Sequence, residues 1–253
     1  MNAYYRQLIA NEFSNCVNRT IDRVMNTEQT HRPFHVALLS EDTVFWSAFE
    51  RSFSTSFGQR VIEEIARLVA LSNGASQARR QVETAVQIDV AYEDAIREEM
   101  RLLRGRNHAR AYAWRPTLQR VLSAQPTGNT VDIRVISDMW WQKDGVDNYI
   151  SLKTVKPNID QTAVAKEDCL HLAVADPNCN VYFGLPYNPY GERKEDYAHH
   201  PPMGIFDFRH DPVVLIGKEM WDTIGGDGCY EELLNIAAAV GEETRRTIAR
   251  MRR

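Results

Sequence analysis

The chain has 253 residues, a hydrophobic fraction of 43% and a formal net charge of -4 at pH 7. This length suits a single domain with a well-buried core over residues 1–253. No apolar run approaches the ~20 residues of a membrane span, and the N-terminus lacks a signal-peptide pattern, so we expect a cytosolic protein. The scattered cysteines exclude a CxxC zinc site and a disulfide framework: Cys16, Cys169, Cys179 and Cys229.

The first part of the chain, to about residue 125, has mainly helical patterns. Helices are predicted over 3–26 and about 41–72, and Ser40 is expected to be the N-cap of the second one. The apolar stripe of that segment ends before Gly74 and consists of Val61, Ile65, Leu68 and Val69.

Two more helices are predicted before the pattern changes. One covers residues 76–104 and stops at Gly105, and the other covers about 116–124. Together they complete the helical part predicted for residues 1–125.

The second part, residues 126–253, combines strands and helices. TVDIRVISD alternates as a strand with Val131, Ile133 and Val135 on one face, QKDG turns the chain, and NYISLKTV follows as the second strand of a hairpin. The remaining pattern predicts a helix capped by Asn158 or Asp160, strands at NVYFGLPYN and PVVLIG, and helices at 218–224 and 230–253. This order predicts an α/β fold with a mixed sheet.

Arginine dominates the basic residues, with 24 Arg against 6 Lys. Seven of these arginines fall between Arg97 and Arg120, where only Glu98 and Glu99 oppose them, giving a local net charge of +5. Such a strip is compatible with a DNA-binding cleft, because guanidinium groups form forked contacts with phosphates and guanine edges, and also with an ordinary solvated helix face.

The predicted hairpin carries the candidate catalytic residues. Phosphodiester hydrolysis requires divalent cations on oxygen ligands and a cationic group near the reacting phosphate. Asp138 ends the first strand, Ser151 follows 13 residues later, and strand alternation puts Lys153 on the face of Ser151. We predict Asp138 and Lys153 as a catalytic pair, although the spacing also fits a turn aspartate and an exposed lysine. Asp147 shares the parity of Ser151 and is the alternative to Asp138.

Ser151 stands where a nuclease of this pattern has a carboxylate. Glu167 lies 14 residues after Lys153 on the following helix and is the first candidate to replace that carboxylate. Glu63 on the earlier amphipathic helix is the second candidate, and its neighbour Glu64 points about 100° away from it. Both glutamates are also compatible with solvated helix faces.

Four stretches carry a family resemblance: STSFGQRVIEEI at 54–65, SLKTVKPNIDQTAVA at 151–165, YFGLPYNPYG at 182–191 and VLIGKEMWDTIGG at 214–226. They resemble type II restriction endonucleases of the TdeIII kind, within the PD-(D/E)xK nuclease superfamily, which recognise GGNCC-like palindromes. The resemblance extends over residues 45–235. It implies a restriction-endonuclease-like core and Mg²⁺-dependent cleavage of double-stranded DNA, with Mn²⁺ as a substitute.

The resemblance also implies residue roles. It assigns the metal ligand to Asp138, the catalytic lysine to Lys153 and a site-lining helix glutamate to Glu63. Related enzymes with Ser-x-Lys take their second acid from the position that corresponds to Glu167, so the metal would be bound by Asp138, Glu167 and the Leu152 carbonyl. The absence of a proline before the aspartate is a departure from the family pattern, and it leaves the alternative ligand open.

The partners implied are a palindromic DNA duplex, a second copy of the chain in a two-fold homodimer, and a cognate DNA methyltransferase as a genetic partner in a bacterium or archaeon. The alternatives are a repair or junction nuclease of the same fold and a catalytically inactive DNA-binding protein. The residues expected to contact DNA are Arg97, Arg101, Arg104, Arg106, Arg110, Arg115 and Lys156.

Overall fold

The computed structural model describes residues 1–26, 31–105, 112–200 and 204–251. The helices are α1 (Ala3–Asn26), α2 (Pro33–Leu39), α3 (Glu41–Ser56), α4 (Gln59–Ser72), α5 (Val90–Arg104), α6 (Trp114–Leu122), α7 (Ile159–Ala175), α8 (Lys218–Gly225) and α9 (Cys229–Met251). The strands are β1 (Gln77–Asp89), β2 (Thr130–Lys143), β3 (Val146–Leu152), β4 (Asn180–Leu185) and β5 (Val214–Ile216). Within these ranges, no helix combines the length and apolar character required to cross a bilayer.

The strands form one mixed sheet in the order β1-β2-β3-β4-β5. β2 pairs antiparallel with β1 and β3, whereas β3-β4 and β4-β5 are parallel. Asp144 and Gly145 connect β2 to β3 with φ values of +52° and +78°. Two consecutive positive φ angles are typical of a two-residue hairpin turn, and this explains the Asp-Gly pair. The predicted α/β fold with a mixed sheet flanked by helices is confirmed.

Apolar side chains form a core cluster on each face of the sheet. Neighbouring residues of β3 point to different clusters: Tyr149 packs against the first and Ile150 belongs to the second. The first cluster contains side chains from α5, α6 and α7, and the second contains side chains from α1, α4, α8 and α9. The sheet is therefore covered on both faces, which explains its largely apolar parallel strands.

The helix predicted over 76–104 is wrong in its first half. Residues 77–89 form strand β1, and a helix begins only at Val90 with the side chain of Asp89 accepting from the Ala91 N–H at its start. The alternation of ARRQVETAVQID, with an apolar or β-branched residue at every second position from Val82, outweighs the helix preference of its Ala, Arg, Gln and Glu residues.

The other predicted helix boundaries differ less from those of the structure. The segment 41–72 is interrupted at Gly58, so that it forms α3 and α4, and the Ser40 hydroxyl bonds the Thr43 hydroxyl instead of capping a backbone N–H. The predicted cap at Asn158 is confirmed, since Asn158 and Gln161 form a reciprocal capping box at the start of α7.

Candidate active site

The long strand β2 changes the face that it buries near its middle. Val135 belongs to the first core cluster and Met139 to the second, although residues four apart in a regular strand face the same side. Asp138 lies in this stretch. The register of β1 and β2 pairs Arg80 with Met139 and Val82 with Ser137, so Gln81 lies across from Asp138 at the point where the strand pairing is interrupted. Gln81 has a φ of +49°, a left-handed conformation that costs a non-glycine residue about 1–2 kcal/mol. This local break in the strand geometry marks the site.

Asp138 is buried and receives donors from β3. Its Oδ2 accepts from the Leu152 backbone N–H at 2.7 Å, from Lys153 Nζ at 2.8 Å and from the Ser151 hydroxyl at 3.2 Å. Only 7% of Asp138 is exposed, and the Lys153 side chain is 20% exposed. The pairing of β2 with β3 begins at Met139 and Ile150, so Asp138 lies just beyond it, next to the end of β3. The two predicted catalytic residues, Asp138 and Lys153, are in direct contact, and the Leu152 backbone amide fixes the carboxylate.

Glu63 supplies a second carboxylate from α4, and only 3% of it is exposed. The Gln81 side-chain amide donates to Glu63 Oε1 at 2.8 Å and to Asp138 Oδ1 at 3.3 Å. Adjacent Glu64 points elsewhere and binds Arg67 and Arg80. Glu63, and not Glu64, therefore faces the cleft, and Gln81 connects it to Asp138.

Two neighbouring acids on α7, Glu167 and Asp168, interact with different parts of the protein. Glu167 forms its ion pair with Arg104 of α5 at 3.5 Å. The neighbouring residue Asp168 is the one that interacts electrostatically with Lys153 and Asp138. The pKa of Asp168 is raised to about 6, chiefly by burial. The negative charges of Glu167 and Asp138 contribute to the rise, whereas His171 and Lys153 oppose it. The replacement of the strand carboxylate by Glu167 remains a prediction.

The alternative ligand, Asp147, lies at the turn end of the hairpin. Its Oδ1 accepts from Trp140 Nε1 and from Gln142 Nε2, both at 3.2 Å. Asp147 precedes Ser151 by four residues, which corresponds to about 13 Å along a strand. It therefore lies away from the carboxylate that contacts Lys153.

The predicted arginine strip is largely engaged in ion pairs. Arg97 forms an ion pair with Glu93, and Arg101 forms one with Glu98. Arg104 forms an ion pair with Glu167 of α7. Exposed basic side chains remain at Arg115 and at Lys156, whose Nζ lies 5.6 Å from the Tyr190 ring centroid. Arg106 and Arg110 lie outside the described residues. The strip therefore offers less unpaired charge than its sequence indicates.

The family model for the type II restriction endonuclease HinfI matches residues 1–241, almost the whole chain. The chain belongs to the HinfI family. A comparison with curated proteins finds no match. The predicted class, a type II restriction endonuclease, is thereby confirmed at the level of the family.

The oxygen atoms at this HinfI-family site suit a hard divalent cation. Among the described residues, no three His, Cys, Asp or Glu side chains are gathered at metal-binding spacing. Asp138 and Glu63 nevertheless supply two buried carboxylates joined through one amide group, and carboxylate oxygens are the ligands that Mg²⁺ prefers. These two carboxylates would bind a cation placed there, and its remaining ligands would have to be other oxygen atoms.

Two residues at this HinfI-family site were not found from the sequence. Gln81 was missed because its segment was predicted as helix. The signal that could have found it is the alternation from Val82 to Ile88, which indicates a strand, and the pairs of β1 with β2 on either side of Gln81 bring it next to Asp138. Asp168 differs from the predicted Glu167 by one position, which is a rotation of about 100° on a helix. Sequence spacing alone does not determine that rotation.

Proposed function

We propose that the protein is a Mg²⁺-dependent type II endonuclease that cleaves double-stranded DNA at a short palindromic site, with Mn²⁺ as a substitute. The observation that carries this proposal is the 2.8 Å contact between Lys153 Nζ and the buried Asp138 carboxylate, with Glu63 linked to the same carboxylate. GGNCC is the recognition sequence suggested by the TdeIII-like resemblance, and it remains a prediction.

The residues of the site have distinct roles in this proposal. Asp138 and Glu63 would hold the cation, with the Leu152 carbonyl as a predicted further ligand. A bound Mg²⁺ supplies Lewis-acid polarisation of the phosphate and lowers the pKa of a water molecule. Lys153, whose ammonium group is held at Asp138, orients the attacking water and stabilises negative charge that develops on the phosphate. Ser151 donates to Asp138 and keeps its carboxylate oriented.

The acid on α7 has two candidates within this mechanism. Glu167, the predicted replacement for the strand carboxylate, would have to exchange its ion pair with Arg104 for a place at the cation. Asp168 interacts with Lys153 and Asp138 from its present position. We assign Asp168 an electrostatic influence on Lys153 and retain Glu167 as a candidate ligand.

Cleavage of both strands of a palindrome calls for two copies of the site, and we therefore propose a two-fold homodimer. Exposed Arg115 and Lys156 are the described members of the predicted DNA-contacting set that are not engaged in ion pairs with acids. Charge-assisted contacts of this kind hold the DNA backbone and weaken as salt concentration rises.

Digestion of a sequenced plasmid with Mg²⁺, followed by mapping of the ends, tests the proposal. Discrete fragments with one common end sequence are expected. Lys153→Ala should lower the cleavage rate by about 10²–10³-fold or more while DNA binding is retained. Lys143→Ala, at the turn end of the same hairpin, is the matched control and should cut normally.

Other results of the digestion would support one of the two alternative functions instead. Cutting restricted to branched DNA would point to a junction nuclease. Binding of DNA without cleavage, at every Mg²⁺ or Mn²⁺ concentration tried, would point to an inactive DNA-binding protein.

A further inference from the structure

Gln81 has an unusual backbone for its position. Three described non-glycine residues have a positive φ: Ser40 at a helix start, Asp144 in the hairpin turn, and Gln81 within strand β1. A hairpin turn requires such a conformation, and Ser40 lies at the break between α2 and α3, where a helix end commonly adopts it, whereas the interior of a strand does not require it. Strained backbone that persists within regular structure is often associated with a functional site, and here the side chain of the strained residue contacts Asp138.

The side chain of Gln81 lies between two buried acids. Its Nε2 is within 3.3 Å of one oxygen of Asp138 and one oxygen of Glu63. The other oxygen of Asp138, Oδ2, is the one that receives the three donors from β3. Asp138 Oδ1 and Glu63 Oε1 therefore face the same small region, which the Gln81 amide borders.

An amide group has two different ends. The NH₂ end donates to carboxylates, and the carbonyl end is a neutral oxygen ligand of the kind that Mg²⁺, Mn²⁺ and Ca²⁺ accept in proteins. Rotation about the last side-chain bond of glutamine exchanges the two ends without moving the backbone. Gln81 can thus donate to the two acids in one state and present its oxygen to a cation between them in another.

We propose that Gln81 is a ligand of the divalent cation, with its Oε1 bound beside the carboxylates of Glu63 and Asp138. This inference rests on the proposed function and makes it more specific. Gln81 supplies from β1 the third oxygen ligand that a strand acid at position 151 would have supplied from β3. The left-handed backbone at Gln81 is required because it directs the amide into the space between the two acids.

Direct titration with Mn²⁺ or Ca²⁺ alone, by calorimetry in the absence of DNA, tests this ligand. Gln81→Gly keeps the left-handed backbone accessible and removes the oxygen, and it is expected to weaken cation binding by about 10-fold or more. Gln81→Lys retains a donor without an oxygen and should weaken binding similarly. Gln81→Glu supplies oxygen without a donor and should bind the cation at least as tightly as the wild-type protein.

Gln87 provides the matched control. It lies on the same strand, donates its amide to Asp132 at 3.0 Å, and occupies an equivalent cross-strand pair away from the site. Gln87→Gly should bind Mn²⁺ like the wild-type protein. Thermal melting of every variant, measured without metal, separates a loss of ligand from a loss of folding.

The outcomes distinguish this inference from the function on which it rests. Wild-type affinity in Gln81→Gly, together with normal plasmid cleavage by the wild-type protein, overturns the ligand role and leaves the endonuclease function intact. If Gln81→Glu binds as weakly as Gln81→Gly, the amide acts as a donor to the acids, which also overturns the ligand role. A wild-type protein that neither binds a divalent cation nor cuts DNA overturns both.

Discussion

Ionised Asp168 is expected to destabilise the folded protein, and its replacement by asparagine measures how much. Burial raises the pKa of this carboxyl from 3.8 to about 6. An acid whose pKa is higher in the folded state favours folding at low pH, and this contribution is lost as pH rises through the folded-state value. At pH 8 the folded protein therefore bears the cost of an ionised, partly buried acid.

The size of this cost follows from the two pKa values. Their difference corresponds to about 3 kcal/mol at a pH above both, and partial exposure of the side chain reduces the expected effect to about 1–2 kcal/mol. Asp168→Asn should therefore raise the free energy of unfolding by that amount at pH 8. The gain should decline as pH falls from 6 toward 4, because the wild-type carboxyl becomes protonated in the folded state.

Urea denaturation at pH 8 and at pH 4.5, in buffers of equal ionic strength, measures the difference between Asp168→Asn and the wild-type protein. Asp160→Asn is the control, since Asp160 lies exposed in the first turn of the same helix and should give no gain at either pH. A gain that is the same at both pH values would refute the reasoning, because it would not depend on ionisation. A loss of stability at pH 8 would refute it as well.

Two further substitutions test the packing around the site. Lys166 is fully buried and its Nζ donates to three oxygen acceptors. Lys166→Met should therefore lower the free energy of unfolding, measured in urea at pH 6, by about 2–4 kcal/mol. A loss below about 1 kcal/mol would contradict the role of these hydrogen bonds. An added Cβ at Gly225 would overlap the side chains of Cys229 and Val69. Gly225→Ala should therefore lower the free energy of unfolding, measured by thermal melting, by about 1–3 kcal/mol. A wild-type melting temperature would show that α8 can shift to make room.

Local sequence signals predicted the parts of the fold that local chemistry determines. The hairpin turn required two residues with positive φ, and Asp144-Gly145 is a pair that accepts them. The start of α7 required a side-chain acceptor, and Asn158 provides it. These elements are specified by a few adjacent residues, so they could be predicted without knowledge of the tertiary structure.

Strand β1 could not be predicted from composition in the same way. Its residues Ala78, Arg79, Arg80 and Gln81 favour helix in isolation. Pairing with β2 over almost its whole length, and packing of Val86 and Ile88 against the first core cluster, outweigh that local preference. The error had a consequence for the site, because a residue placed on a helix could not be recognised as the cross-strand neighbour of Asp138.

The residues of the candidate site also differ in whether local sequence or tertiary packing determines their position. Asp138 and Lys153 were predicted together because hairpin register and strand alternation determine their proximity, whereas the orientation of α7 depends on packing that spacing does not encode. Glu167 forms an ion pair with Arg104, and the neighbouring Asp168 interacts electrostatically with Lys153. Which acid of α7 faces the site depends on the rotation of that helix about its own axis, so the replacement of the strand carboxylate by Glu167 stays a prediction.

Ser151 is better understood as a donor than as a missing acid. Its hydroxyl lies 3.2 Å from Asp138 Oδ2 and donates to it. A carboxylate at position 151 would place two negative charges at about this separation, which is unfavourable in a buried site without a cation between them. The serine instead donates to the Asp138 carboxylate together with the Leu152 N–H and Lys153. The other proposed cation ligands, Glu63 and Gln81, lie on the opposite side of the Asp138 carboxylate, on α4 and β1.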